Sequence, residues 1–180
     1  YDGKWQEGFY DGQGTYTYAN GDVYDGEWMS PHGEEYFIKG TKTYTNGDID
    51  TFDGEWDLDN YLYPSGTITY ANGDVYKGDW KDLGTRHIYG TMTYKDGSVQ
   101  EGEWKNGKIH GNGNLIFQHN VVYKGSFKNS MKHGNGKLTY SNGDVYNGNF
   151  ENDDRHGQGQ YLYFKGDVQE YDGEWLKEIG

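Results

Sequence analysis

The 180-residue sequence has no cysteine and only 2 prolines. The lack of cysteine excludes a disulfide framework and any zinc site built on thiolates. Apolar residues make up 32% of the total, well short of the roughly 45–50% of a compact globular domain. No apolar run approaches the roughly 18 residues of a membrane span. Cations are scarce as well, with 16 Lys and Arg against 29 Asp and Glu for a net charge of −13. That balance argues against nucleic acid as a partner, because nucleic acid selects basic surfaces. It also argues against direct adhesion to an anionic membrane.

Low hydrophobicity with high net charge is the composition of a disordered polypeptide. The 18% aromatic content, with 19 Tyr and 6 Trp beside 30 Gly, points the other way. Each buried Tyr or Trp removes about 150–250 Å² from water, so the sequence is able to fold around a thin, aromatic core. Charge is uneven along it. Residues 1–90 hold 17 acids and 6 bases, and residues 91–180 hold 12 acids and 10 bases.

An internal repeat organises the sequence. The pattern aromatic-x-Gly-x-aromatic occurs at Tyr1–Trp5, Tyr24–Trp28, Phe52–Trp56, Tyr76–Trp80, Tyr123–Phe127, Tyr146–Phe150 and Tyr171–Trp175. Gln100–Trp104 keeps the Gly and the Trp but not the first ring. Units therefore start near 1, 24, 52, 76, 100, 123, 146 and 171, as seven full units and a closing half unit in one array spanning 1–180. Between starts, a short alternating strand runs into Asn-Gly or Asp-Gly, at 20–21, 46–47, 72–73, 96–97 and 142–143. These dipeptides predict type I′ hairpin turns, which need positive φ at both central residues. Successive strand side chains point to opposite faces. Alternation therefore puts Tyr24, Gly26 and Trp28 on one face, with an aromatic column at Tyr18, Tyr44, Tyr70, Tyr94, Phe117, Tyr140 and Tyr163. Thr, Val, Asp, Glu and Lys fall on the other. The central Gly leaves room for a neighbouring ring to lie over the backbone.

The unit Tyr24-Asp-Gly-Glu-Trp28, together with Gly107-x-x-x-Gly111-x-Gly113 before a strand, resembles MORN repeats (membrane occupation and recognition nexus). The resemblance extends over essentially the whole sequence. It implies an all-β fold, an elongated single-layer antiparallel sheet of stacked β-hairpins, and a surface used for assembly.

Three consecutive units depart from the regular Gly-x-Gly joint found at Gly12/Gly14, Gly111/Gly113, Gly134/Gly136 and Gly157/Gly159. The segments 29–40, 57–66 and 81–90 replace the first Gly with Ile38, Pro64 and Ile88 and carry Tyr36, Phe37, Tyr61, Tyr63 and Tyr89. Insertions in a repeat array map to loops along one edge, often the binding edge. These five aromatics are thus candidate partner-binding residues in divergent loops, against the plainer reading that they cover the sheet.

Other constellations read as structural. His110, His133 and His156 recur at a fixed spacing, but equivalent residues of stacked hairpins lie about 9–10 Å apart, too far to share one zinc ion. Glu27, Glu55, Asp79, Glu103 and Glu174 form an acidic column interrupted by Ser126 and Asn149. A solvated face that discourages sheet stacking is favoured there over a recognition stripe for a basic partner or a weak calcium surface. Repeats set like groups in parallel rows, whereas an active site needs unlike groups converging. No catalytic residue, cofactor or metal is expected, and the sequence reads as a non-enzyme.

The leading functional expectation is a scaffold or adaptor binding a helical or extended protein segment along an aromatic groove. Trp28, Trp56, Trp80 and Trp104 are its candidate anchors, with Tyr18, Tyr44, Tyr70 and Tyr94 beside them, since Trp and Tyr dominate interface energetics. The resemblance implies a cytoplasmic setting in a cytoskeletal or ciliary (axonemal) assembly. Two alternatives stand beside it: a membrane or phosphoinositide tether using Lys124, Lys128, Lys132, Lys137 and Lys165, and a regulatory module of a larger enzyme. Open sheet edges invite homodimerisation or end-to-end association.

Overall fold

The computed structural model describes residues 1–30, 36–55, 65–82, 85–165 and 170–176. They form an open antiparallel sheet whose strand order follows the sequence, as the repeat pattern requires. The strands are β1 (Asp2–Gln6), β2 (Phe9–Thr17), β3 (Val23–Met29), β4 (Tyr36–Thr43), β5 (Ile49–Glu55), β6 (Gly66–Tyr70), β7 (Val75–Asp82) and β8 (Thr85–Thr93). They continue as β9 (Val99–Lys105), β10 (Lys108–Ile116), β11 (Val122–Lys128), β12 (Met131–Thr139), β13 (Val145–Glu151), β14 (Asp154–Leu162) and β15 (Glu170–Trp175). A 3₁₀ turn at Gln118–Asn120 is the only helical element among the described residues. The protein divides into two compact units, Tyr1–His87 and Ile88–Gly180.

Within each unit, one glycine from each strand stands directly opposite a glycine of the next. In the first unit the file runs Gly3, Gly14, Gly26, Gly40, Gly54, Gly66, Gly78. In the second it runs Gly90, Gly102, Gly113, Gly125, Gly136, Gly148, Gly159, Gly173. The file exists because rings lie flat across it. A methyl at Gly125 or at Gly148 would sit 2.5 Å from the hydroxyl of Tyr123 or Tyr146 respectively.

Those rings repeat one geometry. On the strands with the aromatic-x-Gly-x-aromatic pattern the two rings meet edge to face, with centroids 4.9 Å apart for Tyr24 and Trp28, 4.6 Å for Tyr76 and Trp80, and 5.1 Å for Tyr146 and Phe150. Such pairs favour the ring quadrupole and add about 0.5–1.5 kcal/mol beyond burial. Each tyrosine hydroxyl then reaches over the glycine to a carbonyl of its own strand: Tyr24 to Glu27, Tyr123 to Ser126 and Tyr146 to Asn149, at 3.2, 2.8 and 2.9 Å. The pairs also link repeats, since Tyr123 packs on Phe150 and Tyr146 on Trp175. A thin aromatic core follows, in which Tyr24, Tyr76, Tyr123, Tyr146 and Phe52 are fully buried.

The turns differ from the expectation. Two-residue turns with positive φ at both positions occur at Glu7-Gly8, Asn106-Gly107, Asn129-Ser130 and Asn152-Asp153, each leading into the strand that contains a Gly-x-Gly. At Asn20-Gly21, Asn72-Gly73, Asp96-Gly97 and Asn142-Gly143 only the glycine is left-handed. There the tyrosine ahead of the turn accepts from the glycine N–H and donates to the residue after it, as in Tyr18 with Gly21 and Asp22. That is a three-residue loop ending on a left-handed glycine. The first glycine of each Gly-x-Gly joint serves a bulge: Gly12, Gly111, Gly134 and Gly157 hold φ of 74, 74, 71 and 59°.

Candidate functional site

Three of the four tryptophans expected as partner anchors are buried in the sheet's own core. Trp28, Trp80 and Trp104 are 4, 5 and 4% accessible. Each indole N–H donates to the carbonyl of a file glycine on the preceding strand, Gly14, Gly66 and Gly90, at 3.1, 3.4 and 2.9 Å. Among the described residues no second layer covers the sheet, and the rings tip over the glycine file and cover one another. The expected bare aromatic groove is thereby filled by the repeat's own side chains. Trp56, Tyr61 and Tyr63 lie outside the described residues, as does most of the segment 57–66.

The tyrosine column is half-buried at Tyr18, Tyr44, Tyr70 and Tyr94. The Lys42 ammonium sits over the rings of Tyr18 and Tyr44, 4.7 and 4.9 Å from their centroids. Burial lowers the pKa of Lys42 while the nearby Asp22 charge opposes that shift. Tyr94 donates to Gln100 Oε1 at 2.8 Å, which satisfies the buried amide standing where other repeats have a ring. In the divergent segments Tyr36 and Phe37 are half-buried, and Phe37 packs edge-on against Trp28 at 5.6 Å. Tyr89 differs. It is 48% accessible beside Ile88 at 65%, and its hydroxyl donates to Glu101 Oε1 at 3.3 Å.

Two shallow grooves lie on the polar face above the glycine file. In the first unit, Gln13, Asp25, Lys39, Asp53 and Glu55 border a groove of about 440 Å³ floored by Gly26, Gly40 and Gly54. Its rim holds an exposed Lys39–Glu27 ion pair at 3.3 Å, of a kind that contributes little in water. In the second unit, Tyr89, Glu103, Asn112 and Asn114 border a groove of about 300 Å³ floored by Gly113 and Gly125. Next to it, Lys124 stands directly opposite Lys137. The facing residues of that row are Asn114 and Asn147, and the row beyond the file pairs Asn112 with Ser126 and Asn135 with Asn149. Lys124 and Lys137 were named from the sequence within a basic strip, but the asparagine rows around them were not. Their signal was plain: no Asp or Glu occurs between Glu103 and Asp144.

The aspartates after the turns were also missed as structural braces. Asp22 accepts from the Thr45 N–H at 2.9 Å and from its hydroxyl at 3.1 Å, so one turn is tied to the next. Asp144 does the same with the Phe164 N–H and the Tyr161 hydroxyl, at 2.8 and 3.0 Å. The backbone bond from Thr45 is the leading cause of a lowered Asp22 pKa, and that from Phe164 of a lowered Asp144 pKa. Among the described residues no group of three or more His, Asp or Glu is placed to hold a metal ion.

With the geometry in place, comparison with known proteins gives one family. The MORN repeat model matches residues 1–23, 76–99, 101–118, 123–145 and 146–168. No curated protein matches the sequence. Among solved structures, the TCP domain of SAS-4 (dCPAP) in complex with a proline-rich motif of Ana2 (dSTIL), from Drosophila melanogaster, is similar at 12% identity. The match covers 86% of this protein and 74% of that one, with a TM-score of 0.39. Similarity at that level says nothing about what this protein binds.

Proposed function

The protein belongs to the MORN-repeat family, and from that premise we propose that it is a non-catalytic scaffold that holds a partner polypeptide in a cytoplasmic, cytoskeletal or ciliary assembly. MORN repeats make it a protein-interaction or membrane-associated repeat module. The observation that carries the protein-binding reading is Tyr89. It is an exposed ring at the wall of a groove floored by glycine, with amide side chains along it. An aromatic wall beside amide side chains suits an extended segment, whose backbone needs both donors and acceptors. Panning a displayed library of short peptides against the protein tests it. Selected peptides should lose about 30-fold in affinity on Tyr89→Ala, the scale of an interface hot spot. Peptides indifferent to Tyr89 would place the partner elsewhere. The non-catalytic part of the reading is supported by the parallel rows of like polar groups on this face, which bring no acid, base and nucleophile to one point.

A second reading, membrane association, is favoured by Lys124 standing opposite Lys137 within a stretch, 104–143, that holds no Asp or Glu. Each Lys near an anionic surface contributes about 1 kcal/mol. Co-sedimentation with phosphoinositide vesicles, abolished by Lys124→Glu with Lys137→Glu, is its test. Binding unaffected by that pair excludes this face as the contact.

A further inference from the structure

Asn-Gly is the dipeptide most prone to spontaneous deamidation, because glycine offers no side chain to obstruct attack by its backbone nitrogen. The sequence has eight of them, beginning at Asn20, Asn46, Asn72, Asn106, Asn112, Asn135, Asn142 and Asn147. Three of the four Asn-Gly loops that follow a tyrosine of the aromatic column (Tyr18, Tyr44, Tyr70 and Tyr140) share one arrangement that blocks the reaction. The side-chain oxygen of Asn20, Asn72 and Asn142 accepts from the backbone N–H two residues on, at 3.1, 2.9 and 3.0 Å. The amide nitrogen of each donates to the aspartate carboxylate there, at 3.0, 2.9 and 2.8 Å. The attacking nitrogens are occupied too. Gly21, Gly73 and Gly143 donate their N–H to Tyr18, Tyr70 and Tyr140 at 2.9, 2.8 and 3.0 Å. Side chain and nucleophile are each held away from the other.

Asn46-Gly47 lacks every part of this. Its loop is closed by Tyr44 donating to the Asp50 carbonyl, so residues 45–49 span what residues 19–21 span elsewhere. Asn46 is exposed and makes one side-chain bond, from its amide nitrogen to the Thr45 hydroxyl at 3.3 Å. Gly47 has φ of 112°, with nothing within 4 Å of where a side chain would stand. The remaining four are restrained by the sheet. Asn112, Asn135 and Asn147 lie inside β10, β12 and β13, while Asn106 is fixed at φ of 51° in a two-residue turn closed by Lys105 and Lys108.

We propose that Asn46 is a site of spontaneous modification in this protein, deamidating through a cyclic imide while the same dipeptide in the other hairpin loops is protected. A base removes the Gly47 N–H proton, and the nitrogen attacks the carboxamide carbon (Cγ) of Asn46. The new bond from nitrogen to Cγ closes a succinimide as the bond from Cγ to the amide Nδ2 breaks, and the leaving amide takes up a proton to depart as ammonia. Water then opens either imide carbonyl, giving aspartate or isoaspartate. The isoaspartate product adds one backbone methylene and one negative charge. It does so in the loop whose Thr45 N–H binds Asp22 at 2.9 Å and whose Asp48 carbonyl accepts from Ala71 at 3.0 Å. The modification therefore loosens two braces between neighbouring turns.

The test is to age the full-length protein at mildly alkaline pH and follow all eight peptides by mass spectrometry, with isoaspartate scored by its enzymatic methylation. Three hydrogen bonds hold each protected loop out of the reactive geometry, so Asn46 should react at least about ten-fold faster than Asn20, Asn72 or Asn142. A ratio below about five-fold, or a faster site among the other seven, overturns the assignment. Asn46→Gln, whose imide ring closes far more slowly, should abolish the signal in that peptide. It should also preserve slow hydrogen exchange at the Thr45 and Ala71 amides after ageing. Loss of that protection in the aged variant, as great as in the aged parent, overturns the structural consequence.

Discussion

Ile88 carries a backbone conformation that its counterparts leave to glycine. It stands opposite Trp104 as Gly12 stands opposite Trp28 and Gly111 opposite Phe127, and its φ is 63° where theirs is 74°. A β-branched residue in the left-handed region is strained by about 1–3 kcal/mol. At 65% exposure its side chain returns little from burial. Ile88→Gly should therefore raise stability by about 1 kcal/mol in urea unfolding, part of the relief being offset by glycine's greater freedom when unfolded. The brace at Asp144 makes a second prediction at this scale. Its folded carboxyl is held below the ordinary value, chiefly by the Phe164 N–H. The unfolded state therefore binds the proton more readily. The brace stabilises fully above the unfolded value of about 4 and fades as pH falls through the lower, folded one. Asp144→Asn should lower the thermal midpoint at pH 7, and the gap from the parent should close as the pH is taken below about 4. A gap independent of pH would mean that the charge is not what the brace uses.

Within each hairpin the two glycines of the Gly-x-Gly joint do different work, and substitution separates them. An alanine at Gly136 would drive its methyl into the buried Tyr123 ring, whereas at Gly134 the nearest atom is the Ser126 side chain at 3.6 Å. Gly136→Ala should cost about 1–3 kcal/mol through overpacking, and it should disturb the near-UV signal of the rings. Gly134→Ala should cost about 1 kcal/mol from its positive φ alone and leave that signal intact. The hairpins themselves were legible in the sequence, because alternation and the aromatic-x-Gly-x-aromatic period leave few other folds. Their turn types were not. Asn-Gly suits both a two-residue loop and a three-residue loop, and the choice is made by register. Here the register follows from glycine facing glycine and from the tyrosine before the turn bonding the residue after it. Asn129-Ser130 and Asn152-Asp153, which carry the two-residue turns, contain no glycine to announce them.

Across the whole molecule, buried phenols set the limit of stability on the alkaline side. Burial raises the pKa of Tyr24 and Tyr76 strongly, and pushes Tyr123 and Tyr161 up to about 12. A raised folded value means that the unfolded state gives up these protons first. Their contribution is intact below about pH 10 and is lost as pH rises toward the folded values. Alkaline titration should thus show phenolate absorbance for these tyrosines rising together with loss of sheet circular dichroism. Gradual ionisation of an intact sheet would contradict the burial. Family membership and strand topology follow from the amino-acid sequence alone, whereas the surface open to a partner does not. Periodicity places Trp28, Trp80 and Trp104 on a face but cannot say that neighbouring rings cover them. Nor does it distinguish Tyr89, which stands exposed beside the left-handed Ile88.

The glycine file bears on how such a protein grows or shrinks over generations. Two adjoining strands are indexed to each other at a position that bears no side group, and each repeat hands its neighbour the same ring and the same gap. Whole hairpins can therefore be duplicated or lost, as by unequal recombination, without any residue elsewhere being altered to fit. A single residue gained within a strand has no such freedom, since it moves one glycine out of line and lays a bulkier residue beneath a ring. Descendants of this protein should differ in how many repeats they carry, while the interval from each ring to its glycine stays fixed.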